Sequence, residues 1–426
     1  MKKILFLFCL FTLITTLDGC FVEDISKNIN DFFEESSSDS SIYSGELPMI
    51  IIQSPDDKND EGLSDTDETD KDVTEYIYDV DNRVYSKEAY NEDEISLAFI
   101  GDICFHDDFS NMSTLRSSEN GIYDCIKPEV LGALKCVDIF MANNEFPYSN
   151  RGTPLADKQY TFRSKPENVN ILNDMGVDIV SLANNHAYDW GPDALVDSFD
   201  ILNEAKVPFV GAGKNIDDAM KPVYFKINNR TIAYTSATQI ERLGNPDTKE
   251  ATEDSPGVLR TLNPDKFIKV ISEAKANSDF VVVYVHWGSE STDLVEQSQK
   301  DLALQYVEAG ADLIIGDHSH CLQGLDYVKG VPVIYSLGNF WFNSKRVDTG
   351  YLTAILDRDC NIKQLRFVPC VQEGCRTRLA SDSDRQRILN YLQGISFFAN
   401  IDDFGVVTET TENHNVQNGK NTLSSD

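Results

Sequence analysis

The sequence predicts an α/β fold in which two β-sheets lie face to face and helices flank them. Between residues 94 and 320, short β-branched runs alternate with helical stretches, a pattern typical of crossover units and a largely parallel sheet. From Val331 onward, alternating strands and hairpins replace that pattern. Mixed strands added to a βα core indicate two packed sheets.

Five apolar runs are predicted to be buried strands, and helical stretches lie among them. The strands are residues 95–100, 137–142, 177–183, 280–285 and 311–316. The helices are residues 166–175, 192–205, 265–276 and 296–309, the last closed by Gly310 as a C-cap. Two hairpins are also predicted, one at 223–236 that turns at Asn228 and Asn229, and one at 351–371 that turns at 357–361.

Polar side chains follow each of these five strands. In the order of the strands they are Asp102, Glu145, Asn185 with His186, His286, and His318 with His320. Because the carboxyl ends of parallel strands meet at one edge of a sheet, where such sheets bind their ligands, we expect these side chains to lie close together.

Five of the six histidines lie just after a predicted strand, and only His414 lies in the polar C-terminal stretch. Together with the neighbouring carboxylates and amides they form a mixed nitrogen and oxygen ligand set, which suits zinc, manganese or iron and does not suit calcium. His318 and His320 are two residues apart, so in extended backbone both rings would project to the same side. His106 is a further candidate metal ligand.

Each of these residues has a plainer interpretation. Asp102 could cap a helix, Asn185 could occupy a turn, and Glu145 could be a solvated charge. His286 could be a hydrogen-bonded core histidine, and His106 could be solvated in its acidic loop. Taken together, these alternatives require several coincidences at one edge of one sheet.

Residues 1–20 are predicted to be a signal peptide of lipoprotein type. Two lysines precede an apolar run at 4–17 that is too short to span a membrane comfortably. The ending Leu17-Asp18-Gly19-Cys20 resembles a bacterial lipoprotein box. We expect a protein outside the cytoplasm, anchored to the cell membrane by a lipid on Cys20; the alternative is an uncut signal anchor.

The net charge of −33 is unevenly distributed along the chain. Residues 21–94 contain 23 acidic and 5 basic side chains, whereas residues 95–400 contain 41 and 29. We interpret 21–94 as an acidic Ser/Asp/Glu-rich linker, 95–400 as the folded domain and 401–426 as a polar tail. So negative a chain is repelled by phosphates, which argues against nucleic acid as a partner.

Seven cysteines lie beyond Cys20, an odd number that cannot all pair within one chain. The sequence contains no CxxC spacing, so a zinc site made of thiolates is not expected. The pairing of these cysteines stays open.

Six motifs stand in order along residues 95–371. They are Gly101-Asp102, Ala142-Asn143-Asn144-Glu145, Leu182-Ala183-Asn184-Asn185-His186, His286-Trp287-Gly288, Gly316-Asp317-His318-Ser319-His320 and Ser336-Leu337-Gly338-Asn339-Phe340. This ordered set resembles the CapA family, the poly-γ-glutamate synthesis branch of the calcineurin-like metallophosphoesterases. The resemblance implies a four-layer α/β/β/α sandwich of the metallophosphoesterase type, with mixed sheets and a centre for two divalent metal ions.

Carried over by position, the resemblance also implies roles for individual residues. The metal ligands would be Asp102, Glu145, Asn185, His286, His318 and His320. Glu145 would take the place of the bridging carboxylate, and His186 would face the leaving group as a catalytic residue. The first motif departs from the broader superfamily, because the expected Asp-x-His reads Asp102-Ile103-Cys104. His106 or the Cys104 thiolate could substitute there, or one of the two metal sites is weak.

We therefore hypothesise a metal-dependent hydrolase of the cell envelope that acts in capsule or poly-γ-glutamate synthesis on a phosphoester or a polymer-linked substrate. His186 would protonate the leaving oxygen. The alternative is a non-catalytic component that binds, anchors or exports poly-γ-glutamate and uses the metal site as a structural element. The family name also implies capsule-synthesis partner proteins.

A polyanionic or phosphorylated substrate requires positive charge close to the site. The candidates for this basic rim are Arg151, Lys158, Arg163 and Lys165, whose plainer interpretation is a solvated loop.

Overall fold

The strands of the computed structural model form two large sheets, and the structure describes residues 77–156, 158–240 and 248–415. In chain order the strands are β1 (Tyr78–Asp79), β2 (Val84–Ser86), β3 (Ile95–Ile103), β4 (Ile139–Asn144), β5 (Ile179–Ser181), β6 (Phe209–Val210), β7 (Ala212–Gly213), β8 (Val223–Ile227), β9 (Arg230–Thr238), β10 (Gly257–Val258), β11 (Phe280–His286), β12 (Leu313–Asp317), β13 (Leu322–Val328), β14 (Val331–Leu337), β15 (Asn339–Trp341), β16 (Val347–Leu356), β17 (Ile362–Glu373), β18 (Arg376–Leu379), β19 (Ala399–Ile401) and β20 (Val407–Glu409). The helices are α1 (Ser110–Arg116), α2 (Ile122–Cys125), α3 (Pro128–Lys135), α4 (Asn170–Met175, preceded by a 3₁₀ turn at Pro166–Val169), α5 (Pro192–Glu204), α6 (Ile216–Ala219), α7 (Asp265–Ala276), α8 (Gln297–Ala309) and α9 (Asp382–Ile395).

Both large sheets have a parallel centre and antiparallel additions. Sheet I has the order β18-β17-β16-β3-β4-β5-β6, and β15 also pairs with β3. Its strands β3 to β6 are parallel, whereas β16 runs antiparallel to β3. Sheet II has the order β1-β2-β8-β9-β11-β12-β14-β13, and β9, β11, β12 and β14 are parallel.

Side chains that alternate along β3 show how the layers are arranged. Phe99 belongs to a hydrophobic cluster that also contains Tyr284 of sheet II, so this cluster lies between the two sheets. Ile100 points the other way, into a cluster shared with Leu131 of α3 and other helical residues. A third cluster joins the outer face of sheet II to α7 and α8. This arrangement confirms the predicted α/β class and the four-layer α/β/β/α sandwich.

The predicted strands, helices and turns are confirmed where the sequence pattern is clear. All five predicted strands are present, and the four predicted helices form within one residue of the expected bounds. Asn228 and Asn229 turn the first hairpin with φ values of 50° and 60°, and Gly310 ends α8 in the left-handed conformation at φ 114°. Five helices were not predicted, which are α1, α2, α3, α6 and α9.

The folded region begins earlier than the predicted boundary at residue 95. Strands β1 and β2 extend the edge of sheet II, where β2 runs parallel to β8. The buried Arg83 donates hydrogen bonds to the carbonyl oxygens of Phe209, Lys221 and Ala212 and to Asp218 Oδ1. The acidic composition of the segment concealed this inward-pointing arginine.

The folded region also continues past residue 400. Strand β20 pairs antiparallel with β19, and the backbone nitrogen of His414 donates to the carbonyl oxygen of Phe397. Residues 401–415 therefore pack on the domain, contrary to the expectation of a polar tail. The predicted signal peptide, Cys20, residues 21–76 and residues 416–426 lie outside the described residues.

Two further findings concern the described ranges only. None of their helices combines the length and the hydropathy that a membrane crossing requires. Their seven cysteines form no disulfide bond with one another and are Cys104, Cys125, Cys136, Cys321, Cys360, Cys370 and Cys375.

Candidate metal centre

The candidate metal centre lies at the carboxyl ends of the parallel strands of both sheets. Sheet I contributes residues in or directly after β3, β4 and β5, and sheet II contributes residues at the ends of β11 and β12. These residues are Asp102, Glu145, Asn185, His186, His286, Asp317, His318 and His320, and all except the half-buried His320 are at least nine-tenths buried. The structure therefore brings the predicted ligands together, as the convergence of parallel strands requires.

In the part of the chain that the structure describes, three overlapping groups of side chains could hold a metal ion. Each group places its ligand atoms within 4.8 Å of one another: Glu145 with His286 and His318, Asp102 with Glu145 and His320, and Asp102 with His286 and Asp317. Glu145 belongs to the first two groups, which is the position that the resemblance assigns to a bridging carboxylate. The structure thus contains a buried cluster that is compatible with a metal site.

The carboxylate of Glu145 shows that a cation fits this cluster. Both of its oxygens are buried without a hydrogen-bond partner, and so is Asp102 Oδ2. Burial and then the neighbouring charge of Asp102 raise the pKa of Glu145 well above its usual value. A buried carboxylate without donors is costly. A cation among these oxygens would relieve that cost.

The contacts of His286 also favour a cation. Its Nδ1 lies 2.8 Å from Asp317 Oδ1, and donation of the Nδ1 hydrogen to this carboxylate leaves Nε2 with a lone pair. Nε2 then faces Asn185 Oδ1 at 2.8 Å and His318 Nδ1 at 2.9 Å. Burial lowers the pKa of His286 to about 3, so the ring is neutral. These lone pairs converge as metal ligands do.

Asp102 and His320 form the other side of the centre. Asp102 Oδ1 accepts a hydrogen bond of 2.9 Å from Asn143, and Asp102 Oδ2 lies 3.4 Å from His320 Nδ1, which is 2.8 Å from Asn339 Oδ1. Burial alone would lower the pKa of His320, but the charge of Glu145 and the hydrogen bond to Asp102 outweigh it and raise the pKa to about 10. Amide side chains therefore hold both residues in place.

His186 is held beside the centre by Asp189. Its Nδ1 lies 2.7 Å from Asp189 Oδ2, and its ring stacks on Phe162 with a centroid distance of 4.0 Å. Lys158 Nζ donates to Asp189 Oδ1 at 2.5 Å and to the carbonyl oxygen of Asn185. Burial lowers the pKa of His186, although Asp189 opposes this effect. The ring is therefore neutral and fixed in orientation.

The backbone of the last motif differs from the extended conformation that the sequence suggested. His318 and His320 both have positive φ values, 89° and 57°. Left-handed backbone is uncommon for residues other than glycine, although histidine is among the side chains that adopt it more often. The rings still face a common region, with centroids 5.9 Å apart. That one short segment supplies two metal ligands stays a prediction, and the extended backbone from which it was argued is wrong.

Two proposed substitutes in the first motif lie outside the three ligand groups. His106 Nδ1 accepts a hydrogen bond of 3.0 Å from the backbone nitrogen of Arg163, and its ring packs on Phe109 and Phe162. Cys104 is fully buried, and burial raises the pKa of its thiol well above the usual value. Neither residue belongs to any converging group found in the described ranges.

Carboxylates neutralise part of the expected basic rim. Arg151 pairs with Asp193 and Asp197 on the surface, and Lys158 is buried against Asp189 as described. Arg163 lies over the ring of Trp190 at 3.5 Å. Of the four predicted residues, only Lys165 is exposed without an ion pair among the described residues. Arg163 likewise has no ion pair among the described residues, so carboxylates neutralise only Arg151 and Lys158 of these four residues.

Sequence reasoning missed several residues that support the ligands. Asp317 stands inside a quoted motif, directly before His318, and Asp189 follows His186 by three residues. Asn143 and Asn339 also lie inside quoted motifs and were not assigned a contact. Their positions were visible in the sequence, but only the structure shows which side chain each one holds.

An open cavity gives access to the centre from the side of sheet II. Its volume is about 440 Å³, and His318 forms part of its wall together with Gln239, Ile240, Leu262 and Glu290. A molecule in this cavity would lie directly beside the ligand group of His318.

Comparisons with known proteins give the following similarities. Residues 96–344 match the family described as "Bacterial capsule synthesis protein PGA_cap". The chain is 34% identical over 257 residues to the "PGA biosynthesis protein CapA" of Bacillus subtilis (strain 168), covering 60% of this chain and 65% of that protein. It is 35% identical over 269 residues to the "Capsule biosynthesis protein CapA" of Bacillus anthracis, covering 61% of this chain and 64% of that protein. The matched region thus spans slightly less than two thirds of these curated relatives.

Proposed function

The chain belongs to the bacterial capsule synthesis family PGA_cap, and from that premise we propose that it is a metal-dependent hydrolase of the cell envelope that acts in capsule or poly-γ-glutamate synthesis. The observation that carries this proposal is Glu145, whose two buried oxygens lack donors and which two ligand groups share. Its substrate would be a phosphoester or a polymer-linked group, and its anchor would be the lipid on Cys20.

Two divalent cations fit the ligand groups. Asp102, Glu145 and His320 would hold one, and Glu145, Asn185, His286 and His318 would hold the other. Manganese, zinc or iron suits this mixture of imidazole, carboxylate and amide ligands. When bound, the cations supply Lewis acidity and offset the negative charge that develops on the reacting oxygens.

His186 is the residue placed to move a proton. Its Nδ1 is engaged by Asp189, and its Nε2 lies 3.9 Å from Glu145 Oε1, at the edge of the ligand cluster. The neutral ring can take up a proton at Nε2 and pass it to a leaving oxygen, while Asp189 stabilises the charged ring that forms in between. Phe162 covers one face of the ring and excludes water from it.

The first test compares two histidines in the full-length chain. We expect His318→Ala to lose bound metal and hydrolytic activity, because His318 belongs to a ligand group. We expect His186→Ala to keep its metal and to lose activity by about 10²-fold or more, because only the proton transfer is removed. Elemental analysis and a panel of phosphomonoesters, phosphodiesters and poly-γ-glutamate provide the two measurements, and His106→Ala is the matched control that should change neither.

Two outcomes would reject the proposal. A protein that binds no metal and stays inert with added manganese or zinc is not a metal-dependent hydrolase. If His186→Ala retains full function in capsule synthesis while His318→Ala loses it, the non-catalytic role in binding, anchoring or exporting the polymer is correct.

A further inference from the structure

We propose that an arginine cluster next to the candidate metal centre binds an anionic polymer through its carboxylates. The arginine cluster consists of Arg346, Arg378 and Arg387, which surround Asp384. Poly-γ-glutamate is the polycarboxylate that we assign to it, and only this identity of the ligand rests on the proposed function.

Three guanidinium groups share the single carboxylate of Asp384. Arg346 Nη2 and Arg387 Nη2 lie 3.0 Å and 3.1 Å from its Oδ1, and Arg378 Nη2 lies 3.5 Å from its Oδ2. The side chain of Asp384 is only 15% exposed, whereas those of the three arginines are 36% to 49% exposed. All three arginine side chains are therefore partly exposed around a mostly covered Asp384, and they also pair with Glu373 and Asp348, which are 49% and 25% exposed.

The surroundings of the cluster add to its positive charge. Arg346 also pairs with Glu373 at 2.6 Å, and Arg387 also pairs with Asp348. The three segments that form the cluster, 345–348, 373–378 and 382–387, contain six basic and four acidic residues. The basic residues are Lys345, Arg346, Arg376, Arg378, Arg385 and Arg387, and the acidic ones are Asp348, Glu373, Asp382 and Asp384. A local excess of two positive charges stands out in a domain where acidic residues outnumber basic ones by 41 to 29.

Arginine suits a carboxylate polymer better than lysine does. A guanidinium group carries five N–H donors in a planar fork that matches a carboxylate. Arg346 directs one of these donors to Glu373 and one to Asp384 among the described residues. Its other N–H groups can meet carboxylates of a bound chain, and arginine clusters recognise acidic ligands in this way.

The arginine cluster is connected directly to the metal centre. The ring of Phe342 contacts that of His320 with a centroid distance of 5.1 Å. Gln372 holds the intervening segment, since its Oε1 accepts from the Phe342 nitrogen at 2.6 Å and its Nε2 donates to the Lys345 carbonyl at 3.1 Å. Arg346 follows Phe342 by four positions, with three residues between them, a span of at most about 14 Å. A polymer bound on the cluster can therefore reach the centre.

The plainer interpretation is an ion-pair network that only ties α9 to β16, β17 and β18. Exposed ion pairs contribute about 0–1 kcal/mol each to stability, so that role predicts a small change in melting temperature and no change in polymer binding. The two interpretations thus differ in a measurable property of the same variants.

The experiment measures binding of fluorescently labelled poly-γ-glutamate to the full-length chain by anisotropy, at about 0.15 M ionic strength and with a chelator present. The double variant Arg346→Gln with Arg387→Gln should bind about tenfold more weakly, because hydrogen bonds to charged groups are lost. The matched control is Arg358→Gln with Lys363→Gln, two exposed residues at the opposite end of the same hairpin. The control changes the net charge equally and should bind within about twofold of the wild type, since the remote charges are screened.

Unchanged binding in the cluster variant, or an equal loss in the control, would overturn the proposal. If the first variant is poorly folded, Arg376→Gln with Arg385→Gln removes the same charge, and it should also weaken binding. These two arginines donate to the carbonyl oxygens of Gly374 and Asp403. His318→Ala should bind the polymer as the wild type does, and its failure to bind would assign the polymer to the metal centre instead. A catalytically inert protein that still binds through the cluster would reject the hydrolase proposal and support this one.

Discussion

Gly101 lies so close to the backbone of Gly338 that no side chain fits between them. A Cβ atom at Gly101 would lie 2.0 Å from the Gly338 carbonyl oxygen, and the Asp102 nitrogen donates to that same oxygen at 3.0 Å. The position of Asp102 in the candidate centre therefore depends on the glycine before it. Close packing therefore requires glycine at position 101, although Gly101 is not itself a candidate metal ligand.

We expect Gly101→Ala to lower the free energy of unfolding by about 3 kcal/mol or more, because the clash involves backbone that cannot move aside cheaply. Urea denaturation of the full-length chain would measure this loss. Gly132→Ala in α3 is the control, since a Cβ there meets nothing within 4 Å, and it should leave stability unchanged or raise it by about 0.5–1 kcal/mol. Equal stabilities for both variants would show that the backbones at Gly101 and Gly338 are not packed so closely.

Individual ligands could be predicted from the sequence because polar residues at strand ends carry a clear signal. Asp102, Glu145 and His286 each follow an apolar run. Because the carboxyl ends of parallel strands lie at one edge of a sheet, residues in these positions lie close together. The partners that hold them could not be predicted in this way. Asp189 and Asp317 are buried carboxylates whose roles depend on distances of 2.7 Å and 2.8 Å to imidazole nitrogens, which no spacing along the chain encodes.

At the scale of elements, strand β2 is the part of the fold that composition conceals. It lies in a segment rich in acidic residues, yet it extends sheet II. Arg83, directly before the strand, contacts four oxygens. Net charge over a window cannot show that one arginine points inward. The same limit explains α1 and α2, which have only 7 and 4 residues and offer little periodicity.

We expect Arg83→Met to destabilise the protein by about 2–3 kcal/mol, because three buried carbonyl oxygens and Asp218 lose a charged donor. Thermal unfolding followed by circular dichroism would report this as a lower melting temperature. Lys221→Met, whose side chain is 46% exposed beside the same aspartate, should change stability by less than about 1 kcal/mol. A melting temperature for Arg83→Met equal to that of the wild type would mean that β1 and β2 contribute little to the fold.

The segment after β12 shows a second limit at this scale. A run such as 311–316 predicts a strand, but it does not say where the extended backbone stops. In the structure the strand ends at Asp317, and both following histidines are left-handed. Residues held in such conformations often lie at functional sites, where the surrounding structure maintains them.

At the scale of the whole molecule, the candidate centre joins the two sheets. We expect added manganese or zinc to stabilise the wild type by about 2.7 kcal/mol at a concentration 100 times the dissociation constant, because the cation binds only the folded chain. Differential scanning calorimetry with and without a chelator would measure the shift.

Glu145→Gln tests the origin of that shift. The variant replaces a buried carboxyl group, whose charged form burial disfavours, with a neutral amide. Without metal it should be at least as stable as the wild type, and metal should stabilise it less, because a carboxylate ligand is lost. His106→Ala should respond to metal as the wild type does. A metal response in Glu145→Gln as large as in the wild type would contradict a bridging position for Glu145.

The division of the centre between the two sheets has a consequence for the order of folding. Within residues 77–156, 158–240 and 248–415, every group that could hold a cation combines a carboxylate before residue 146 with a histidine after residue 285, so no short stretch of these ranges contains a complete set. Bringing these halves together closes a loop of well over a hundred residues, which is a slow, non-local step. A cation should therefore leave the rate of folding nearly unchanged and slow the rate of unfolding, because it binds the native state and not the folding transition state.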